Sequence, residues 1–157
     1  MIYHAFLIKY AEIAIKGKNR YLFEDALVKQ MNIALSAVEG DFSVVKEQGR
    51  IYVFCPEEYD YEDTVAALKR VFGIVYICPV VIYEDQGFDQ MAKDVVSYMQ
   101  ACHPGYAGTF KVYTRRAKKS YPIPSMEVSA KLGGSILDAF PEAKVDVHQP
   151  ALTLSVE

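Results

Sequence analysis

The sequence lacks acidic side chains over one long stretch. No carboxylate lies between Asp94 and Glu127, although the chain of 157 residues contains 20 Asp and Glu and has a formal net charge of −3. The stretch instead carries a cluster of four cations, Arg115, Arg116, Lys118 and Lys119. In a protein of net negative charge, a basic segment without acidic residues indicates a local site for an anion. The aromatic, hydroxyl and proline residues that follow suggest nucleic acid as that anion.

The sequence also lacks paired cysteines. Cys55, Cys78 and Cys102 are odd in number, widely spaced and free of any Cys-x-x-Cys pair. This pattern predicts reduced thiols in a reducing compartment rather than a disulfide framework. The three histidines are isolated from one another and from the cysteines in sequence, so the ligand spacing of a zinc site is missing. We therefore predict no metal site.

Long apolar runs are missing as well. No run approaches the ~20 residues that a membrane-spanning helix needs, and the 52% hydrophobic content indicates a folded protein. The segment from Met1 to Lys9 lacks the basic start, apolar centre and cleavage site of a signal peptide. We expect no membrane association and a cytoplasmic location.

The sequence also lacks the motifs of nucleotide binding and catalysis. The sequence contains neither the Gly-x-x-x-x-Gly-Lys-Ser/Thr spacing of a phosphate-binding loop nor Gly-x-Gly-x-x-Gly. No Ser/His/Asp or Cys/His arrangement has a local signature of nucleophilic catalysis. The sequence predicts no catalytic residue in this chain.

The first half of the chain predicts alternating strands and helices. Tyr3 to Tyr10 is an apolar strand, Asn19 is the predicted N-cap of a helix from Arg20, and Gly49 is the predicted hairpin turn between two further strands. Asp63 is the predicted cap of a second helix, and Ile74 to Val81 is the closing strand. The order β-α-β-β-α-β is the split βαβ pattern of a ferredoxin-like domain, which we place at residues 1–80.

The second half predicts an α-β-α-β-β order over residues 81–157. Phe88 to Cys102 has helical spacing of apolar residues, Thr109 to Arg115 alternates as a strand, and Ser125 is the predicted cap of the next helix. Lys144 to Val147 and Ala151 to Val156 are the last predicted strands. Both halves thus predict α+β units with helices packed on a sheet.

The basic segment fits a phosphate site. A strand that ends at Arg115 and Arg116, followed by a loop with Lys118 and Lys119, sets several cations near the unpaired N–H groups of the next helix. Tyr121 fits a base-stacking role and a hydrophobic plug under the loop equally well. From residues alone, the cluster fits an anion site and an ordinary soluble surface equally, and a stand-alone anion-binding or protein-interaction module is the alternative function.

A second basic turn precedes the first helix. Lys16, Lys18 and Arg20 lie around Asn19 at a helix start, where the helix dipole also favours an anion. The alternative interpretation is an ordinary helix entry with solvated cations.

Two stretches of the sequence resemble a known family. The run from Tyr10 to Phe23 (YAEIAIKGKNRYLF) is similar to the N-terminal ferredoxin-like domain of the tRNA 4-thiouridine synthetase family, sulfurtransferases also linked to thiamine biosynthesis. The run from Phe110 to Pro122 (FKVYTRRAKKSYP), with Ser125 to Val128 and Val145 to Pro150, resembles that family's THUMP domain. The resemblance covers essentially the whole chain.

The resemblance implies a tRNA-binding platform that grips the acceptor stem and 3′ end while a separate domain thiolates a uridine. The implied RNA-binding residues are Lys16, Lys18, Asn19, Arg20, Arg115, Arg116, Lys118, Lys119, Ser120 and Tyr121. We expect the cations of both stretches to line one shared positive surface.

The resemblance also implies features of the parent protein. ATP with magnesium is expected only for a catalytic domain, whose Ser-Gly-Gly-x-Asp-Ser motif this sequence lacks, and a cysteine desulfurase is the expected sulfur donor. We expect this chain to bind no cofactor itself and its THUMP domain to be truncated at the C-terminal end. An unpaired sheet edge there would favour a homodimer.

Overall fold

A computed structural model describes residues 2–11, 19–47 and 49–157. The chain divides into two compact units, an N-terminal unit, Met1–Ile82, and a C-terminal unit, Tyr83–Glu157. The elements of the N-terminal unit are β1 (Ala5–Tyr10), α1 (Arg20–Leu35), β2 (Ser43–Glu47), β3 (Arg50–Phe54), α2 (Tyr61–Lys69) and β4 (Ile74–Val80). Those of the C-terminal unit are α3 (Phe88–Cys102), β5 (Thr109–Thr114), α4 (Ser125–Ala139), β6 (Lys144–Val145) and β7 (Leu152–Val156). Both predicted element orders are confirmed.

The N-terminal unit contains an antiparallel sheet in the order β2-β3-β1-β4. Central β1 is apolar throughout most of its length because it lies between two neighbours, and Phe6 and Ile8 pack with Leu27 and Met31 of α1 in the core. Gly49 has a φ of +76°, which the hairpin between β2 and β3 requires and which glycine adopts without steric cost. The split βαβ pattern therefore produces the predicted sheet.

The C-terminal unit contains a parallel sheet in the order β6-β5-β7. Central β5 contributes Phe110 to a core that includes Met99 from α3 and Ile136 from α4. Because neighbouring strands run in the same direction, each connection between them must cross over, and α4 is the crossover after β5.

Two of the predicted helix caps require correction, and the third, Asn19 before α1, is confirmed in position. Asp60, not Asp63, is the N-cap of α2: its backbone is extended and its side chain accepts a hydrogen bond from the Asp63 N–H at 2.9 Å. Asn19 is the N-cap of α1 as predicted, although its backbone is already helical and its side chain makes no cap hydrogen bond. Ser125 is the first residue of α4, whose N-cap is Pro124, because proline has an extended ψ there and ends the loop. Short-range spacing locates a helix start within a few residues but does not select the capping side chain.

The predicted strands extend too far at several ends. β1 starts at Ala5 rather than Tyr3, β4 and β5 each end one residue early, and β7 starts at Leu152. β6 covers only Lys144–Val145, because the Asp146 side chain accepts the N–H groups of His148 and Gln149 at 3.0 and 3.1 Å. This local turn replaces the strand that apolar Val147 suggested.

Candidate nucleic-acid interface

The basic segment forms the connection between β5 and α4, and we call residues 115–124 the basic loop. β5 and β7 are parallel, with Thr114 opposite Val156, and the Arg115 N–H donates to the Val156 carbonyl at 2.9 Å. The basic loop therefore leaves the carboxyl edge of a parallel sheet. In open α/β sheets this edge is where ligands bind, because loops and helix starts meet there.

Internal hydrogen bonds brace the basic loop. Arg116 Nη1 donates to the Tyr121 carbonyl at 2.9 Å, and the Tyr121 N–H donates to the Lys118 carbonyl at 3.1 Å. At its base, Ser129 Oγ of α4 donates to Thr114 Oγ1 of β5 at 2.8 Å. Arg116 is half-buried, and one nitrogen of its guanidinium group is used for a hydrogen bond within the loop. Its first role is therefore to hold the shape of the loop.

The other cations of the basic loop face solvent. Arg115, Lys118, Lys119 and Ser120 are exposed. The first acid that follows is Glu127, whose Oε1 lies 3.2 Å from Lys131 Nζ. This ion pair offsets the single negative charge at the start of α4, so the local potential around the exposed cations stays positive.

The start of α4 adds backbone donors to this positive region. Pro124 provides no side-chain cap, and the first intrahelical bond in the turn joins the Val128 N–H to the Pro124 carbonyl at 3.0 Å. The N–H groups of the preceding helical residues have no carbonyl four residues back within the helix, and the helix dipole is positive at this end. An anion beside Lys118 and Lys119 would meet cations and backbone donors together.

Tyr121 is half-buried, and its main chain takes part in the brace. The backbone contacts hold the residue in position while part of the side chain remains accessible. This arrangement is compatible with stacking on a base or ribose.

The second predicted cluster is only partly described. Lys16 and Lys18 lie outside the described residues. Asn19 is exposed at the start of α1. Arg20 donates through Nε to Glu24 Oε1 at 3.0 Å and through Nη2 to the Tyr10 hydroxyl at 3.2 Å. Glu24 is buried, with 8% of its surface exposed, so the Arg20 charge is largely matched by a carboxylate.

The Tyr10–Arg20–Glu24 network was not predicted from the sequence. Burial raises the pKa of Tyr10, the interaction with Arg20 opposes this rise, and the interaction with Glu24 adds to it. The i,i+4 spacing of Arg20 and Glu24 was the available signal, since opposite charges at this spacing lie on one helix face. Tyr10 had no such signal because it lies on β1, whereas Arg20 and Glu24 lie on α1. Arg20 thus contributes to the packing of α1 on β1.

None of the three cysteines was predicted to be catalytic, and the surroundings of Cys55 bear on this prediction. Cys55 is half-buried beside Tyr59, and burial raises the pKa of its thiol to about 11. At neutral pH this thiol is almost entirely protonated, which disfavours nucleophilic chemistry.

Two further observations concern the described residues as a whole. None of the helices in residues 2–11, 19–47 and 49–157 is long and apolar enough to cross a membrane. The same residues contain no group of three or more His, Cys, Asp or Glu side chains arranged to hold a metal ion.

Comparisons with protein families assign each unit separately. Residues 5–78 match the family described as the ThiI ferredoxin-like domain, and residues 85–157 match the THUMP domain. These matches confirm the predicted fold class, a ferredoxin-like domain followed by a THUMP domain.

Comparisons with individual proteins cover nearly all of the chain. A probable tRNA sulfurtransferase from Lachnospira eligens is 55% identical over 99% of this chain and 40% of its own length. A crystal structure of a 4-thiouridine synthetase in complex with RNA and ATP is 28% identical, covers 98% of this chain and 38% of that one, and has a TM-score of 0.75. The structure of PH1313 from Pyrococcus horikoshii Ot3 is 26% identical, with a TM-score of 0.78 over 98% of this chain and 50% of that one. The chain spans about 40% of the length of the curated relatives it matches.

Proposed function

Since this chain belongs to the tRNA sulfurtransferase family, as a ThiI ferredoxin-like domain followed by a THUMP domain, we propose that it binds tRNA for a uridine-thiolating enzyme. It grips the acceptor stem and 3′ end and presents the rest of the tRNA to a separate catalytic domain. The RNA in the complex of the similar 4-thiouridine synthetase supports this assignment.

One observation carries the proposal. Exposed Arg115, Lys118 and Lys119 belong to the basic loop, which is braced internally and runs from the carboxyl edge of a parallel sheet to a helix start without a side-chain cap. Cations and backbone N–H groups then converge on one place, which suits the curved sugar–phosphate chain of a folded RNA.

Recognition would rely on phosphates and ribose. The deep major groove of A-form RNA admits few side chains, so a stem and a single-stranded tail are recognised by shape and by 2′-hydroxyls. Lys16, Lys18, Asn19 and Arg20 are proposed to add contacts from the N-terminal unit, with Arg20 held in position by Glu24. Affinity should fall steeply with salt as counterions are released.

The proposal extends to the parent activity. A separate domain would use ATP with magnesium to activate the uracil, and a cysteine desulfurase would supply the sulfur, in the cytoplasm. The described residues of this chain offer no carboxylate cluster for the magnesium ion. Their part is to bind and orient the tRNA.

The direct test removes two exposed charges from the basic loop. In Lys118→Ala/Lys119→Ala we expect tRNA affinity to fall about tenfold, as two exposed ion pairs of roughly 0.7 kcal/mol each are lost. The log–log salt slope should flatten by roughly 0.7 to 0.9 for each phosphate contact removed. Filter binding at several salt concentrations measures both quantities.

The matched control is Lys93→Ala/Lys144→Ala. These lysines are also exposed in the C-terminal unit, and Lys144 lies opposite Thr109, at the other end of β5 from the basic loop. The control should keep the parent affinity and slope. Equal effects in the two double variants would mean that only net charge matters, and the basic loop would not be the site.

Removing Arg115 and Arg116 together should also weaken binding and flatten the slope. Because Arg116 braces the loop through the Tyr121 carbonyl, this variant additionally tests loop shape. Normal folding with unchanged tRNA binding would eliminate the site.

The substrate class is tested with three RNAs in the same assay: a tRNA, the same tRNA without its 3′ tail, and a duplex of equal charge. We expect the intact tRNA to bind most tightly, the tRNA without its 3′ tail less tightly, and the duplex least tightly. Equal affinity for all three would indicate a general anion-binding module instead.

A further inference from the structure

The sheet of the N-terminal unit has a second face, opposite the helices. Side chains alternate across a strand, so residues directly paired in the ladder share a face. Leu7 pairs with Tyr52 of β3 and with Cys78 of β4, and Ala5 pairs with Phe54 and Val80. The helix-packed core uses the other set, which includes Phe6, Ile8, Ile51 and Val53. We call the set that contains Tyr52 and Phe54 the open sheet face.

Aromatic side chains surround the centre of the open sheet face. Ala5 and Leu7 are buried there, whereas Tyr52 and Phe54 are partly accessible. Their rings are stacked, with centroids 6.1 Å apart and an interplanar angle of 28°. Tyr76, which pairs with Lys9, is 62% exposed. A ligand on this face would therefore contact these flat rings, because Ala5 and Leu7 between them are buried.

Cations lie at one end of the same face. Lys9 is exposed and follows Ile8, while Arg50 precedes Ile51, the partner of Ile8 in the ladder. Lys9 and Arg50 therefore lie on the same face of the sheet as Leu7 and Tyr52, next to Tyr76. Glu47, opposite Arg50 on the edge strand, is the acid in this row.

This combination has a defined chemistry. Flat aromatic rings on a four-stranded sheet stack with unpaired bases, and neighbouring cations follow the backbone of the same strand. The order β2-β3-β1-β4 also places the aromatic β3 next to the central strand, where a strand of RNA crossing the sheet would meet it.

We propose that the open sheet face stacks unpaired nucleotides of the bound RNA through Tyr76, Tyr52 and Phe54, with Lys9 and Arg50 beside the backbone. The proposal rests on the proposed RNA-binding function and adds a second, single-strand-selective contact to the basic loop. Stacking tolerates any base, because every base has a π face, so the site discriminates unpaired from paired RNA rather than one sequence from another.

The test uses Tyr76→Ala, with a labelled single-stranded oligoadenylate of about eight nucleotides as the probe, a length within the usual range for such sites. Fluorescence anisotropy should show binding weakened by about fivefold to 100-fold, the loss of one base–aromatic stack. Tyr76→Phe keeps the ring and should keep the affinity. The salt slope should stay unchanged, because no phosphate contact is removed.

The matched control is Phe72→Ala. Phe72 is 97% exposed in the same unit but lies beside Phe23 and Ile33 of α1, on the helix side of the sheet. This variant should bind the oligoadenylate as the parent does. Circular dichroism melting of all three variants verifies that each is folded.

The outcomes separate the two proposals. Full affinity of Tyr76→Ala for the oligoadenylate would overturn the stacking site and indicate that the face serves a protein or a second copy of this chain. If Tyr76→Ala weakens oligoadenylate binding while Lys118→Ala/Lys119→Ala leaves tRNA binding unaffected, the stacking site is supported. The basic loop is then ruled out as the tRNA-binding site. A parent chain that binds neither RNA would overturn both.

Discussion

The two units of the chain are built from sheets of opposite type. The N-terminal unit has antiparallel strands throughout, whereas the C-terminal unit has parallel strands on both sides of β5. Parallel strands bring their carboxyl ends and the start of the following helix to one edge, so cations placed after β5 lie beside helix donors. Antiparallel strands distribute their ends over both edges, and what they offer is a whole face.

This difference teaches where function can be expected in each unit. In the C-terminal unit a short sequence, residues 115–121, contains nearly the whole candidate site, because the topology collects one loop and one helix start. In the N-terminal unit the candidate surface uses Lys9, Arg50, Tyr52, Phe54 and Tyr76 from three strands. An edge site is visible in a local sequence window, and a face site becomes visible only with the strand register.

The largest expected effect tests whether the two units are independent in stability. Phe110 is fully buried in the core of the C-terminal unit, and Phe6 is fully buried in that of the N-terminal unit. Phe110→Ala should cost about 3 to 5 kcal/mol, a large part of the stability of so small a unit. We expect the amide resonances of residues 83–157 to lose dispersion in an NMR spectrum while those of the N-terminal unit persist.

Phe6→Ala is the reciprocal variant and should unfold the N-terminal unit selectively. Each unit has its own core, which is the reason to expect separate responses. Simultaneous loss of both sets of resonances in either variant would show one cooperative unit and would weaken the comparison.

The fold was predictable from sequence to a large extent for a physical reason. Apolar periodicity marks buried faces, so the strand from Thr109 and the helices from Arg20 and Phe88 were located to within a residue of their observed starts. The caps were predicted less well. Asp60 and Asp63 are both acceptable at a helix start, and only the backbone angles of Asp60 decide between them.

The candidate site was predictable where its residues are adjacent in sequence. The basic loop has a local composition, a strand before it and a helix after it. The Arg116 contact to Tyr121 and the Tyr10 contact to Arg20 depend on how the chain closes on itself, and composition carries no information on either. The aromatic pair on β3 was likewise invisible, because strand alternation alone does not say which face the helices cover.

The next effect concerns helix starts, which differ between α2 and α4. In the N-terminal unit α2 is capped by the Asp60 side chain, whereas in the C-terminal unit α4 starts without a side-chain cap. Asp60→Ala should lower the free energy of unfolding by about 1 kcal/mol, because the Asp63 N–H loses its acceptor. Urea unfolding followed by circular dichroism measures this change.

Asn19→Ala is the matched control, because Asn19 occupies the same position before α1 without a cap hydrogen bond. We expect its effect on the free energy of unfolding to stay within about 0.5 kcal/mol, as for an ordinary surface substitution. If Asn19→Ala were as costly as Asp60→Ala, side-chain capping would not distinguish these helix starts, and the uncapped start of α4 would lose its significance.

The smallest expected effect is the pH dependence of the turn that ends β6. Backbone hydrogen bonds from Gln149 and His148 hold the pKa of Asp146 below its ordinary value of 3.8. A carboxyl group whose pKa is lower in the folded state stabilises that state above its unfolded pKa and loses this contribution as the pH falls through the folded pKa. Stability from this turn is therefore complete at neutral pH and declines only in acid, below about pH 4. Asp146→Asn retains an oxygen that accepts the two N–H groups but removes the charge, so its melting temperature should be lower than that of the parent at pH 7 and should approach it as the pH falls below about 4. An unchanged difference across that range would mean that the charge of Asp146 does not stabilise the turn, and that β6 ends where it does for the hydrogen-bond geometry alone.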